Sequence, residues 1–453
     1  MRICIKNGVV VNSSGRMHSD VLIEGNKISA VEPSIDLPDA QTIDARGCYV
    51  FPGFIDTHTH FDLDLGTTIT ADDFNTGTAA ALLGGTTTVL DFATQTKGGT
   101  LLEALNQWHE KAKGSSCNYG FHMAITDWNS SVSKEMEVMR EKGITSYKMY
   151  MVYPALRVED GTIYLAMKRA AEIGALLGMH CENWGLLEAL TKEQLALSKT
   201  DPLGHPRSRP AIVEAEAISR YLRIAELAGA SAYVVHLSTA EGLIEARHAR
   251  KRGQKVYLET CPQYLVLDES RYCEADAAKY IMSPPLRKPL DNKLLWEGLA
   301  QNEIDTLGTD HCSFTMAQKA LGAGDFTKIP NGGAGVQVRA MLYFTFGVLS
   351  NIVTLEQMAA HLSENAARIF GMYPQKGIIQ AGADADIVIW KPDYEQRLTY
   401  TRLAHACDNT PFEGMAVSGL ARDVILGGEI AVQNGILQKK GLGKFVHRGP
   451  CMA

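Results

Sequence analysis

The feature that most constrains this chain is an alternation repeated eight times between Tyr49 and about Pro374, in which a short β-forming run is followed by a helical stretch. Parallel βαβ units leave this mark, because each strand needs a crossover, usually helical, before the next can run alongside it. The strand candidates end in DTHTH (56–60), TVLDFA (88–93), FHMAIT (121–126), SYKMYMVY (146–153), LLGMHCEN (176–183), YVVHLS (233–238), VYLETCPQYL (256–265) and DTLGTDHC (305–312). Between them, residues 101–113, 133–143, 163–174, 211–230 and 241–253 space their apolar positions three and four apart, with Gly143, Gly174 and Gly253 at the exits. Eight such units predict an α/β fold, a (β/α)8 TIM barrel.

The two ends read differently. Residues 3–31 and 378–437 are short β-rich runs such as CIKNGVVV, DVLIEG, ADIVIW and VILGGEIAV, separated by Asn-Gly, Gly-Asn and Gly-Gly turns. Neither end alone has strands enough for a stable sandwich, so both are expected to build one small β-sandwich domain. The expected boundaries are 1–51 for its N-terminal part, 52–375 for the barrel, and 376–453 for its C-terminal part and tail.

Composition narrows the function. With 45% apolar and 21% charged residues the chain is ordinary globular material. A net charge of −7 without basic blocks excludes the footprint of a nucleic-acid binder. No stretch approaches the roughly 18 apolar residues that a membrane span needs, and MRICIKNG lacks the apolar core of a secretory signal, so a cytoplasmic protein is expected. Nine scattered cysteines with no Cys-x-x-Cys pair argue against a disulfide scaffold and predict reduced thiols.

The C-terminal ends of barrel strands face one cavity, so polar residues there converge even when far apart in sequence. Here those positions carry His58 and His60, Lys148, His180, His236 and Asp310. His-x-His on a strand turns both rings to one face, which suits a metal. Singly, His180 or His236 reads as a hydrogen-bonded core histidine and Asp310 as a helix cap; together they read as a site. Lys148, which shares its strand face with Tyr150, must be paired, deprotonated or chemically altered, because a bare buried ammonium is costly. Addition of carbon dioxide would make it a carbamate whose two oxygens could bridge two metals. Cys181 alternates away from His180 and reads as structural. Asn331-Gly332-Gly333-Ala334-Gly335 lacks the lysine of a phosphate loop and reads as a turn lining the substrate.

These residues resemble the cyclic amidohydrolases of the dihydropyrimidinase and hydantoinase group, within the amidohydrolase superfamily. The resemblance rests on FPGFIDTHTH (51–60), GGTTTVLDF (84–92), SYKMYMVY, HCEN (180–183), VVHLS (234–238), ETCPQYL (259–265), MSPPLR (282–287), GTDHCSF (308–314), PNGGAGV (330–336) and KGIIQAGADADIVIW (376–390), and so spans nearly the whole chain. It implies two divalent ions, usually Zn2+ with Mn2+ or Fe2+ as alternatives. His58, His60 and Asp310 would hold one ion and His180 and His236 the other, with carboxylated Lys148 (N6-carboxylysine) and a hydroxide bridging them. It also implies Asp310 as proton shuttle, Tyr153 as donor to the oxyanion, Ser283 and Asn331 as hydrogen-bonding partners of the cyclic amide, and a homotetramer or homodimer.

The activity so implied is opening of a 5-substituted hydantoin to an N-carbamoyl amino acid, with dihydropyrimidines as further substrates. Leu65, Val152 and Leu156, on the loops after strands 1 and 4, are expected to supply apolar surface to the substituent. Asp62 stands where dihydroorotase-like members usually carry an arginine for the substrate carboxylate. The alternatives are an allantoinase-like cyclic ureide hydrolase and a non-catalytic scaffold of the same fold. All six ligand positions are filled, which favours catalysis.

Overall fold

The computed structural model of the protein describes residues 2–452. Eight strands form one parallel sheet in chain order: β1 (Phe54–Thr59), β2 (Thr86–Thr94), β3 (Asn118–Ala124), β4 (Ser146–Tyr150), β5 (Leu176–His180), β6 (Ala232–Val234), β7 (Val256–Thr260) and β8 (Thr306–Leu307). Because β8 has only two residues, side chains do much of the work of joining the last strand to the first. The buried Arg339 donates from Nη1 to Ile55 O of β1 at 2.8 Å and to Leu307 O of β8 at 2.6 Å. Asp56 in β1 accepts from the backbone N–H and the hydroxyl of Thr309, at 3.0 and 2.7 Å. The barrel is thereby nearly closed.

The predicted helices form at Leu101–Lys111, Ser130–Glu141, Asp160–Glu172, Ala211–Ala228 and Ala240–Lys251. Their ends follow local chemistry. Thr100 and Glu103 make a reciprocal capping box, Thr239 accepts from Gly242 N, and Gly143, Gly174 and Gly253 take positive φ just past the last turns. Two expectations change. VYLETCPQYL is not one strand: β7 stops at Thr260, and Gln263–Val266 forms a helical turn after Pro262. Further helices occupy Phe74–Leu83, Trp184–Ala196 and Pro289–Ala300.

Both termini build a β-sandwich. One sheet has four strands, Arg2–Lys6, Asp20–Glu24, Lys27–Glu32 and Gln41–Asp44. The other has seven, in which Val9–Asn12, Gly15–His18 and Tyr49–Pro52 join Ile387–Arg397, Ala416–Leu426, Glu429–Gln433 and Ile436–Leu437. The two halves of the chain meet where Tyr49–Pro52 runs antiparallel to Ile387–Trp390. Ile3, Ile5, Ile23, Val50 and Ile389 fill the space between the sheets. The tail then leaves the sandwich and packs under the barrel. Phe445 bridges Tyr119, Arg448 donates to Ser146 Oγ at 2.7 Å, and Cys451 Sγ donates to Thr145 O at 3.0 Å. These contacts lie at the start of β3 and β4, the end of the barrel opposite the histidines. Among the described residues no helix is long and apolar enough to cross a membrane, and all nine cysteines are free.

Candidate metal centre

All six expected ligands come together above the barrel. His58 and His60 lie at the end of β1, Lys148 within β4, His180 at the end of β5, and His236 and Asp310 just beyond β6 and β8. Asp310 Oδ1 is 3.1 Å from His58 Nε2 and 3.1 Å from His60 Nε2. Lys148 Nζ is 2.9 Å from His58 Nε2, and His180 Nδ1 is 2.9 Å from His236 Nε2. Ligand atoms of His58, His236 and Asp310 fall within 4.8 Å of one another. His236 (φ +38°) and Asp310 (φ +53°) adopt left-handed backbone conformations, as does Tyr153 (φ +70°). Such conformations are costly for residues other than glycine and collect where a site dictates side-chain direction.

Buried carboxylates aim the imidazoles. Glu259 Oε1 lies 2.6 Å from His58 Nδ1 and accepts the His236 backbone N–H at 3.1 Å, while Glu259 Oε2 accepts from Thr57 Oγ1 at 2.5 Å and Tyr233 OH at 3.0 Å. Glu182 Oε2 lies 2.7 Å from His180 Nε2 and accepts from Arg209 at 2.6 Å. His58 and His180 thus each spend one nitrogen on a carboxylate and turn the other inward. That is the usual support of a metal-ligating imidazole.

The electrostatics fit the same use. Burial lowers the pKa of His60 to about 4 and also lowers those of His180 and His236, which keeps these rings neutral with free lone pairs. At His58 burial works the same way, but Asp310 and Glu259 outweigh it and hold the pKa above its ordinary value. Burial opposes ionisation of Asp310 as well, yet the histidines hold its carboxyl well below the usual range. Burial brings Lys148 down to about 8, within reach of the free amine that can attack carbon dioxide. The donor set suits divalent ions: four imidazoles, one carboxylate and one amine of lowered basicity, with no hydrogen-bond partner for His236 Nδ1.

Around this centre Tyr153 sets its ring 5.2 Å from that of His180, and burial raises its phenol pKa so that the hydroxyl keeps its proton. Asn331 Oδ1 is a buried atom without a hydrogen-bond partner, and Ser283 lies buried beside the Tyr153 hydroxyl, whose pKa it lowers. Their two loops share one anchor, because Lys319 Nζ donates to Ile281 O, Pro330 O and Gly332 O at 2.7–2.8 Å. A pocket beside Asp310 is lined by Met282, Gly333, Pro411 and Phe412. Leu65 is 43% exposed and Leu156 half-buried. Val152 lies elsewhere, wholly buried against Leu187 and Val213 in the helical layer. Aromatic surface at the centre comes from Phe92, whose ring lies 4.1 Å from Lys148 Nζ, and from Tyr150, whose ring lies 5.0 Å from Lys148 Nζ and 6.0 Å from the His180 ring. Asp62 is no bare charge, since Lys111 Nζ stands 3.7 Å from its carboxylate. Cys181 points into the barrel's outer core, as alternation predicts, and burial raises its thiol far above the ordinary value.

Residues 49–431 match the amidohydrolase family. The chain is 44% identical to the D-hydantoinase of Geobacillus stearothermophilus, over 98% of this chain and 96% of that one. It is 40% identical to the D-phenylhydantoinase of Escherichia coli O1:K1 / APEC, over 99% of both. Among solved structures, dihydropyrimidinase from Brevibacillus agri NCHU1002 superposes with a TM-score of 0.98 at 42% identity, covering 100% of both chains. The L-hydantoinase of Arthrobacter aurescens superposes at 0.90 with 29% identity, over 98% of this chain and 99% of that one. Barrel, buried histidine cluster and full-length similarity agree, and the chain belongs to the amidohydrolase family, in its hydantoinase and dihydropyrimidinase branch.

Proposed function

We propose that this cyclic amidohydrolase opens 5-substituted hydantoins to N-carbamoyl amino acids, with dihydropyrimidines as secondary substrates. His58, His60 and Asp310 would hold one divalent ion and His180 and His236 a second, with Lys148 carboxylated between them; nitrogen and oxygen donors favour zinc, and manganese or iron accept the same set. Ions so held would polarise the ring carbonyl and acidify a water.

The remaining work falls to the protein. Asp310, within 3.1 Å of two imidazoles, accepts the proton of the attacking water and returns it to the departing ring nitrogen. Tyr153, kept protonated by burial, donates its hydroxyl to the oxygen as charge develops there. Ser283 and Asn331 hold the amide face of the ring. Leu65, Leu156 and the Tyr150 ring cover its 5-substituent.

The observation that carries this reading is that Asn331 Oδ1 stands buried and unpartnered, and Ser283 buried beside the Tyr153 hydroxyl, in two loops bound to one lysine beside the metal centre. A hydantoin or dihydropyrimidine offers the alternating N–H and C=O groups such atoms need. The names D-hydantoinase and dihydropyrimidinase borne by relatives 44% and 42% identical point the same way. The test is hydrolysis of 5-phenylhydantoin by zinc-loaded protein, with N-carbamoylphenylglycine as product. Zinc-loaded protein inert toward both phenylhydantoin and dihydrouracil would overturn the proposal. The reading carries with it a cytoplasmic homotetramer or homodimer; light scattering distinguishes the two assemblies.

A further inference from the structure

A second group of metal-ligating side chains lies apart from the six. Asp72 comes from the loop after β1, and His405 and Cys407 from the chain joining Ile387–Arg397 to Ala416–Leu426. Asp72 is 0% exposed and the other two 6% each, and one ligand atom from each lies within 4.8 Å of the others.

Asp72 is the anchor of the group. Asp72 Oδ2 accepts from His311 Nε2 at 3.0 Å and Ser313 Oγ at 2.7 Å, and Oδ1 from Ala406 N at 2.7 Å. Burial opposes its ionisation, but the hydrogen bond from His311 and the others beside it hold the carboxyl below the usual range. His311 Nδ1 in turn accepts the backbone N–H groups of Gly335 and Val336 at 3.1 and 3.2 Å. Among the described ion pairs neither lysine nor arginine meets Asp72.

Two further donors lie beside its carboxylate. Cys407 Sγ is 3.2 Å from His405 Nδ1, while His405 Nε2, on a ring 94% buried, makes no hydrogen bond. Burial pushes His405 down to about 4, leaving a neutral ring, and pushes the Cys407 thiol up to about 12.

We propose that Asp72, His405 and Cys407 form a site for one divalent ion of the zinc class, separate from the pair at the barrel mouth. Oxygen, nitrogen and sulfur donors together suit zinc, with a fourth position left to solvent. The charges close: carboxylate and thiolate balance the ion, imidazole stays neutral, and Cys407 releases one proton to solvent on binding. The ion would tie the loop after β1 to the 404–410 segment, which already meet through Ala406 and Asp72. Asp72 also holds His311, the chain neighbour of Asp310, so the same tie braces the strand end that presents Asp310.

The test uses cobalt(II) added to the holoenzyme. A thiolate-to-cobalt charge-transfer band is expected in the near ultraviolet, with one equivalent bound and one proton released. None of the six ligands proposed at the barrel mouth is a cysteine, so that pair gives no such band. Cys407→Ser and Cys407→Ala should each lose the band, and His405→Ala should weaken cobalt binding at least tenfold. Zinc should raise the unfolding midpoint of the parent holoenzyme and not that of Cys407→Ser. A parent holoenzyme without the band at saturating cobalt, or an undiminished band in either Cys407 variant, would overturn the site.

Discussion

Lys148 Nζ lies 2.9 Å from His58 Nε2, and both side chains are shut off from water. Neither can serve as it would on a surface. The histidine gives its outer nitrogen to Glu259 and turns its inner one to the lysine, and burial brings the lysine down to about 8.

The first prediction concerns this amine. Carbon dioxide adds only to the unprotonated form, whose fraction climbs as pH rises toward 8 and flattens above it. Metal-stripped protein given zinc at fixed dissolved CO2 should therefore recover more activity at pH 8.5 than at pH 6.5, in a ratio of about 25. Without CO2 recovery should fail. Lys148→Ala should bind fewer ions and lose turnover, and a variant keeping two ions and parental kcat would refute the bridge.

Asp310→Asn keeps the shape of the side chain and removes its ability to take a proton. Turnover should drop about 10²–10⁴-fold, the usual scale of general acid–base catalysis, with KM changed far less. Circular dichroism should match the parent. A near-parental kcat would remove Asp310 from the shuttle role.

Much of this centre was legible because a barrel strand has a simple grammar. Side chains alternate, strand ends face one cavity, and His58, His60, Lys148, His180, His236 and Asp310 all obey that rule. The grammar stops where the strand stops. β4 ends at Tyr150, and Val152, expected on the loop beyond it, is buried against Leu187 and Val213. Glu182 follows His180 at the same spacing of two and was open to the same argument. Glu259 gave no such signal, since its role depends on a contact with His58 across the barrel. The helix Phe74–Leu83 escaped notice for another reason: seven of its ten residues are buried, so it has no polar face to set a period.

Glu182 leads to a prediction about acid. Burial opposes its charge, but Arg209 and His180 hold the carboxyl well below the ordinary range. Between the folded value and an unfolded value of about 4.3, the unfolded chain binds more protons, so stability falls as pH drops through that window. Glu182→Gln leaves Arg209 buried without its partner and should cost about 3–5 kcal/mol at pH 7. Urea unfolding should show the gap from the parent narrowing toward pH 4. A gap independent of pH would assign the loss to packing instead.

Substrate preference is the last prediction. In the proposed reading the 5-substituent would meet Leu65, Leu156 and the Tyr150 ring, a surface that gains by covering apolar groups. A pocket of this kind discriminates by only about 1–3 kcal/mol per methylene, so phenylhydantoin should lead dihydrouracil by a moderate margin in kcat/KM. Allantoin carries a polar ureido group to the same surface and should rank third. Dihydroorotate should be last by far, because Asp62 occupies the position where its carboxylate would need a cation. Lys111, 3.7 Å away, neutralises Asp62 without replacing that cation. Leu65→Ala should lower kcat/KM for phenylhydantoin about tenfold while leaving dihydrouracil nearly unchanged, which separates a contact with the substituent from a general loss of the loop. Should allantoin or dihydroorotate lead the series, or should Leu65→Ala depress both rings equally, the apolar pocket assigned to these residues would be wrong.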